Sequence, residues 1–390
     1  MSLKNSAAIV GVAEHDLEHG KVPGGKTVLQ MQATVAKQAL EEAGLTKDDV
    51  DGLFVAGAWG NPGVGMMPTV TMAEYLGIRP RYTDSTNIGG SSFEAHVGHA
   101  AAAIQAGLCE VALILYGSTQ RSNRSRNLSS GRPGEYTAQF ESIWGLPSPV
   151  GAYAMAAQRH MHEYGTTREQ LAEIAVSTRK WAQLNPRAMY REELTIDDVL
   201  NSKPISEPLH LLDCCLVTDG AGAVIMTSAE RARDCRTRPI WILGHGEAHS
   251  HTLISNMPDL TVTTAKESGQ RAFEMAGVTH DDIDIAQIYD SFTITVLITL
   301  ESLGFCERGE GAAFVANGRT APGGDFPMNT NGGGLSYAHP GMYGIFLIIE
   351  AVQQLRGECG ERQVNDAKIA LVNGTGGVLS STATCILGRD

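Results

Sequence analysis

The 390-residue chain is short of positive charge: 30 Lys and Arg stand against 43 Asp and Glu, a formal net charge of −13. A phosphate backbone needs a cationic surface, so the chain is a poor candidate for sequence-independent binding of DNA or RNA, whereas an anionic ligand can still be held at one local site. Long hydrophobic runs are missing; the apolar stretch around Ala100–Ile104 is far too short to span a bilayer. Cysteines number only seven, an odd count without a C-x-x-C pair. That excludes a disulfide framework and a four-cysteine zinc site. It points to reduced thiols in a cytoplasm, the chain being read as having no signal peptide. No metal-ligand set, Walker motif or G-x-G-x-x-G pattern occurs, so no bound metal or cofactor is expected. Glycine, in contrast, is plentiful at 44 residues without a Gly-X-Y period, which favours turn-rich backbone sites over collagen. A hydrophobic share of 43% supplies a core and rules out a disordered chain.

The apolar run Ala7–Val12 predicts a buried strand, and the helix-period segment Thr27–Ala43 ends at Gly44 in a C-cap position. Thr46, with Asp49 three residues on, is a helix-start signal before the strand candidate Gly52–Gly57. A small-residue helix, Ser92–Gly107, leads into a strand at Val111–Tyr116. The order then recurs. At an offset of 233, residues 39–51 lie over 272–284, and eight of the thirteen positions are identical, among them Gly44/Gly277, Thr46/Thr279, Asp49/Asp282 and Asp51/Asp284. The helix ending at Gly357 and the strand Lys368–Asn373 complete the match to Gly107 and Val111–Tyr116. Such self-similarity predicts two α/β halves, each a mostly parallel sheet flanked by helices. Residues 118–205 break the pattern. They begin rich in Arg, Ser, Asn and Pro, continue as an amphipathic stretch from Ala152 to Leu184, and read as an insertion of the kind that carries substrate contacts. The predicted division is therefore 1–117 with 206–235 as the first half, 118–205 as the insertion and 236–390 as the second half.

The strongest local motif is Asn329-Thr330-Asn331-Gly332-Gly333-Gly334-Leu335-Ser336-Tyr337-Ala338-His339-Pro340-Gly341. His339 precedes a proline and a predicted helix start, which would hold its ring at a helix N-terminus and favour the neutral imidazole. The motif resembles the Asn-Gly-Gly…Gly-His-Pro block of thiolases. Asp219-Gly220-Ala221 and the glycine stretch Asn373-Gly374-Thr375-Gly376-Gly377 resemble two further thiolase segments. Ser302-Leu303-Gly304-Phe305-Cys306 with Gly309-Glu310-Gly311 is most similar to the sterol-carrier-protein and lipid-transfer-protein branch. The resemblance spans nearly the whole chain. It implies a thiolase-like α/β fold, two repeated βαβαβαββ halves stacked as a five-layer αβαβα sandwich plus an inserted loop domain.

The departures from that pattern shape the functional reading. In Asn87-Ile88-Gly89-Gly90-Ser91, Gly90 takes the place of the thiolase nucleophilic cysteine. The second thiolase cysteine falls at Val372 or Asn373, and Tyr289-Asp290-Ser291-Phe292 replaces the block that holds Asn or His. A thiolate is what makes the acyl-enzyme thioester, and glycine cannot replace it. Ser91 could substitute with His339 as its base, or serve only as a helix cap or anion-binding hydroxyl. Cys214, Cys215 and Cys385 read as buried small residues. Chemistry that needs no thiol remains. The resemblance implies two oxyanion sites, one at His339 and the Tyr289 region, one at the backbone N–H groups of Gly374, Gly376 and Gly377, with Asn331 in the substrate loop; these would stabilise an acyl-CoA enolate. Retro-aldol cleavage of a β-hydroxyacyl-CoA uses such an enolate, with acid and base groups only. Aldolases of the branch use paired tyrosines. Tyr289 matches the first, and Tyr343, or else Tyr337, is the expected second. The alternatives are a thiolase-type acyltransferase with an unusual nucleophile and a non-catalytic acyl-CoA-binding subunit. The resemblance further implies CoA thioester as substrate, a homodimer and a small OB-fold, zinc-ribbon partner that holds the acyl-CoA. Arg121, Arg124 and Arg126 are candidates for its phosphates or, more simply, a solvated charge run.

Overall fold

The computed structural model describes residues 2–59, 67–125, 136–146 and 149–389. The chain runs through β1 (Ala7–Glu14), α1 (Val28–Ala43), β2 (Gly52–Trp59), α2 (Pro68–Leu76), β3 (Tyr82–Asp84), α3 (Ser92–Gln105) and β4 (Val111–Ser118). A long excursion carries α4 (Val150–Tyr164) and α5 (Arg168–Gln183) before β5 (Gly220–Ser228) returns to the sheet. The second half follows as β6 (Ile240–His249), α6 (Ala265–Ala276), β7 (Ile285–Ile288), α7 (Thr293–Leu303), α8 (Gly344–Arg356), β8 (Ile369–Gly376) and β9 (Ser381–Gly388). Where β3 stands in the first half, the second has a single parallel bridge between Met328 and Ala286.

The repeat is built from matching local chemistry. Thr27 and Gln30 form a capping box at the start of α1, and Gly44 (φ 78) and Gly277 (φ 66) end α1 and α6 in the left-handed conformation. The Thr-x-x-Asp signals do not open helices. Each closes a single 3₁₀ turn, with Thr46 N–H on Asp49 at 2.8 Å and Thr279 N–H on Asp282 at 2.7 Å. Asp51 then accepts the N–H groups of Glu110 and Val111 where β4 begins, and Asp284 accepts those of Lys368 and Ile369 where β8 begins. Gly11 on β1 and Gly244 on β6, also 233 apart, let the helices come close: a Cβ there would lie 2.2 Å from the Ala39 carbonyl oxygen and 2.1 Å from that of Ala272. On α1 the buried face is Met31, Val35, Ala36, Ala39 and Leu40, spaced for one side of a helix.

The nine strands stand in the order β3-β2-β4-β5-β1-β6-β9-β8-β7. The halves are mixed rather than mostly parallel. β2 pairs in parallel with β3 and β4, and β7 with β8, while β5 and β9 pair antiparallel to both of their neighbours. Two residue pairs, Ala8–Trp241 and Ile9–Ile240, join the half-sheets. α1 packs outside the first half and α6 outside the second, while α3 and α8 touch strands of both. The order is the five-layer αβαβα sandwich, and its middle layer carries the N-termini of α3 and α8 toward a common point. Among the described residues no helix is long and apolar enough to cross a membrane.

Candidate active site

Beyond β7 the chain leaves the sheet at Tyr289, whose N–H donates to the Asn373 carbonyl at 3.0 Å. Asp290 accepts the N–H groups of Gly334 and Leu335 at 2.6 and 3.1 Å, which ties this segment to the π-helical turn Gly333–Tyr337. Burial pushes the Asp290 carboxyl up to about 8 against the pull of those two donors.

α8 starts at Gly344, so His339 lies in the turn before the helix rather than directly at its start, and its ring reaches the helix end through the Tyr289 hydroxyl. Pro340 does not open the helix; Gly341 (φ 95) turns the chain first. The residue at the helix N-cap is Tyr343, and its N–H donates to the Tyr289 hydroxyl oxygen at 3.0 Å. His339 Nε2 lies 3.0 Å from the same oxygen, the two rings being nearly perpendicular with centroids 5.6 Å apart. The phenol of Tyr289 thus sits at the positive end of a 13-residue helix. Burial drives its pKa well above the ordinary tyrosine value and the Tyr343 N–H pulls the other way. Tyr343 turns its own hydroxyl onto Asn331 Oδ1 at 2.9 Å, an oxygen that also accepts Gly333 N–H at 2.8 Å. Its ring lies 5.9 Å from the His339 ring at 21° and 5.7 Å from Phe346 at 14°. Asn331 therefore orients a tyrosine.

There is no room for a thiol side chain at Gly90, the position that motif spacing assigns to the thiolase nucleophile. A Cβ at this position would lie 2.3 Å from Cε2 of Tyr289 and 2.5 Å from the Thr375 carbonyl oxygen. The tyrosine ring occupies the space a cysteine side chain would need. Ser91 does not replace that thiol. It is fully buried, its Oγ donates to the Ile88 carbonyl at 3.2 Å and lies 3.0 Å from Ser381 Oγ, and it makes no side-chain cap on α3. The 3₁₀ turn Gly89–Ser91 directs this hydroxyl to β9, so neither the nucleophile nor the cap and anion readings fit it. Gly374 and Gly376 are not loop residues: they belong to β8, in register with Ala383 and Ser381, and only Gly377 (φ 62) lies beyond the ladder. The oxyanion expectation is corrected accordingly, because the ladder engages the backbone of the first two. Tyr337 stands apart from Tyr289, buried beside Glu14 and Arg187, and burial holds its pKa high. Arg121 is committed to the Val217 carbonyl at 3.0 Å, and Arg126 lies outside the described residues.

Two groups at the site carried no sequence signal of their own. Cys215, held by its N–H on the Ser291 carbonyl at 2.9 Å, lies close enough to raise the pKa of Tyr289. Glu94, in the first turn of α3, presses against Gly344 and Gly374; its carboxylate oxygens are buried without a hydrogen-bond partner, and burial pushes it up to about 8. Cys214 Sγ donates to the His210 carbonyl, and Cys385 is fully buried.

Family comparisons agree with this architecture. The family "Thiolase, N-terminal domain" matches residues 9–230, and "Thiolase C-terminal domain-like" matches 246–389. The chain is 33% identical over 366 residues to the acetyl-CoA acetyltransferase of Methanothermobacter thermautotrophicus, covering 90% of this chain and 92% of that protein. It is 33% identical over 391 residues to the 17-hydroxy-3-oxo-4-pregnene-20-carboxyl-CoA lyase of Mycobacterium tuberculosis, covering 96% and 97%. Among solved structures, the Ltp2-ChsH2(DUF35) aldolase superposes with a TM-score of 0.88 at 34% identity, over 100% of this chain and 99% of that one. With both family regions matched, and over a five-layer fold of that kind, the chain belongs to the thiolase superfamily.

Proposed function

We propose that the protein cleaves a β-hydroxyacyl-CoA by a retro-aldol reaction, with Tyr289 and His339 as the base pair and Tyr343 as the second acid. The observation that carries the reading is the Tyr289 ring in the volume beside Gly90, with its hydroxyl 3.0 Å from both His339 Nε2 and the Tyr343 N–H. The lyase and aldolase named among its relatives support it.

In the proposed step the β-hydroxyl proton passes to Tyr289 Oη as the phenol proton passes to His339 Nε2. The Cα–Cβ bond breaks, its electron pair moves into the thioester as an enolate, and the β-carbon leaves as a ketone or aldehyde. Imidazolium formed at His339 stabilises the enolate charge. A proton then returns to Cα from Tyr343, whose hydroxyl Asn331 orients, and after the products leave Tyr343 takes a proton from solvent while His339 gives one up, closing the balance without a co-reactant. An acyltransferase would need a nucleophile where Gly90 leaves no room. The acyl-CoA substrate, a small DUF35-type partner like the one named with the matched aldolase, and a homodimer through the open β3 edge complete the proposal.

The test is a panel of β-hydroxyacyl-CoA esters, with and without iodoacetamide and with any co-purifying partner retained. Release of a carbonyl product and a shortened acyl-CoA, lost in Tyr289→Phe and retained in Cys215→Ser, supports the reading. The serine variant separates thiol chemistry from steric blockage, because Cys215 neighbours the phenol. Iodoacetamide-sensitive acyl exchange between a ketoacyl-CoA and free CoA, without cleavage, would overturn it.

A further inference from the structure

The turn that delivers His339 and Tyr343 is gripped from the other half of the molecule. Tyr116, fully buried on β4, donates its hydroxyl to the Pro340 carbonyl at 2.5 Å and accepts the Met342 N–H at 3.1 Å. One phenol thus bridges the two residues flanking Gly341, 224 and 226 positions away in the chain. The neighbouring contacts hold a different part of the segment: Thr218 Oγ1 accepts His339 N–H at 3.0 Å, and Gln120 Nε2 reaches the His339 carbonyl at 3.4 Å. These fix the backbone of His339. The Tyr116 bridge spans the path from Pro340 to the N-cap of α8, and with it bears on the direction of the Tyr343 N–H.

We propose that Tyr116 is a positioning residue of the reaction centre, setting the Pro340–Met342 turn so that the Tyr343 N–H and His339 Nε2 meet on the Tyr289 hydroxyl. The proposal rests on the assignment of Tyr289 as the base. A phenol suits this task because one oxygen donates to a carbonyl and accepts an amide across a turn. It is rigid, being packed against Phe93 with ring centroids 5.1 Å apart. Losing the hydroxyl leaves the Met342 N–H and the Pro340 carbonyl buried and unpaired, and the turn relaxes to satisfy them. The Tyr343 N–H then loses its line to Tyr289, and the phenol loses a donor that favours its ionised form. The titratable groups facing that phenol are His339 and Tyr343 before α8, Cys215 before β5, Tyr153 on α4 and Tyr116 itself. Of these, only Tyr116 acts by holding the donor in place.

The experiment compares wild type, Tyr116→Phe and Tyr289→Phe as whole protein with any bound partner. With a polyfluorinated tyrosine placed at 289, whose lower intrinsic pKa brings its ionisation into the range where the protein stays folded, near-ultraviolet titration, taken as the difference from Tyr289→Phe, reads the ionisation at 289 without substrate. The expected result for Tyr116→Phe is a Tyr289 midpoint raised by about one pH unit. In the cleavage assay, kcat falls about tenfold with KM little changed, and the rising limb of the pH–rate profile moves to higher pH. An unchanged midpoint, or a kcat loss that merely tracks a lowered melting temperature, overturns the proposal. Should the Phe variant not fold, 4-aminophenylalanine at 116 fills the same space and donates to Pro340 but accepts poorly from Met342; it should shift the midpoint in the same direction, and no shift counts against the proposal. Because the titration needs no substrate, absence of cleavage in wild type would sink the aldolase reading while leaving the positioning result to be judged by itself.

Discussion

Two helices of the middle layer point their N-termini into the site, and they are equipped in opposite ways. α3 arrives behind Gly90 and Ser91, one without a side chain and the other turned toward β9, and carries the unpartnered Glu94 in its first turn. α8 arrives behind His339 and Tyr343, has no charged residue in its first turn, and directs its N-cap N–H at the phenol of Tyr289. The repeated halves are alike in their turns and strand starts, and these helix N-termini are among the places where they differ. In the proposed reaction the second half would bring the reactive groups, while the first contributes clearance for a ring and a grip on a turn. A thiol reaction would draw on the end of α3; the proposed retro-aldol reaction would draw on the end of α8.

The sharpest way to break this contrast is to remove the phenol. Tyr289→Phe should lower cleavage by about 10³-fold, within the range for loss of a general base, and cost about 1–3 kcal/mol of stability because the buried Tyr343 N–H loses its acceptor. His339→Ala should match it in kcat, and the double variant should add little to either, since residues acting as a unit are not additive. Next comes Gly90→Cys, which gives α3 the side chain it lacks. The clash with Tyr289 should cost about 1–3 kcal/mol of stability, as overpacking does, and displace the phenol, with activity falling about 10²-fold. Thermal unfolding should then show Gly90→Cys/Tyr289→Asn recovering stability without recovering cleavage.

A smaller effect separates the helix starts by pH. The folded Glu94 carboxyl titrates at about 8 against an ordinary 4.5, so its contribution to stability is full below 4.5 and is lost as pH rises toward 8. Between pH 5 and 8 the melting temperature of Glu94→Gln should therefore gain about 1–3 °C relative to wild type. The smallest effect tests the likeness of the halves. Thr46→Ala and Thr279→Ala, which remove equivalent hydroxyls from equivalent turns, should each cost about 1 kcal/mol, and by equal amounts, in denaturant unfolding.

Much of the fold was readable because its signals are local. Gly44 and Gly277, the Thr-Asp pairs and the strands after them each declare themselves within a few residues, and a shared offset joined them into a repeat. The signals misled where tertiary context decided: the Thr-Asp pairs close single turns, Pro340 precedes a turn rather than a helix, and β5 and β9 make the halves mixed. In the site, motif position singled out Tyr289, His339, Tyr343, Asn331 and Gly90, and the structure brings these together. Ser91 and Tyr337 were equally visible in sequence but face elsewhere. Tyr116, Cys215 and Glu94 stayed hidden because their meaning lies in contacts across the two halves. A lone tyrosine in an apolar strand, or a lone carboxylate in a small-residue helix, has no spacing to betray it.

The volume shared by position 90 and the Tyr289 ring also bears on how such a chain can change over generations. A side chain at 90 is excluded while the ring is present, so the two positions are epistatic. Substituting 90 first damages both packing and the phenol; substituting 289 first leaves a protein with neither reactive group. On the proposed reaction each single substitution is expected to lose activity by itself, so exchanging a phenol for a thiol on this scaffold would depend on the order of substitutions as well as on residue identity.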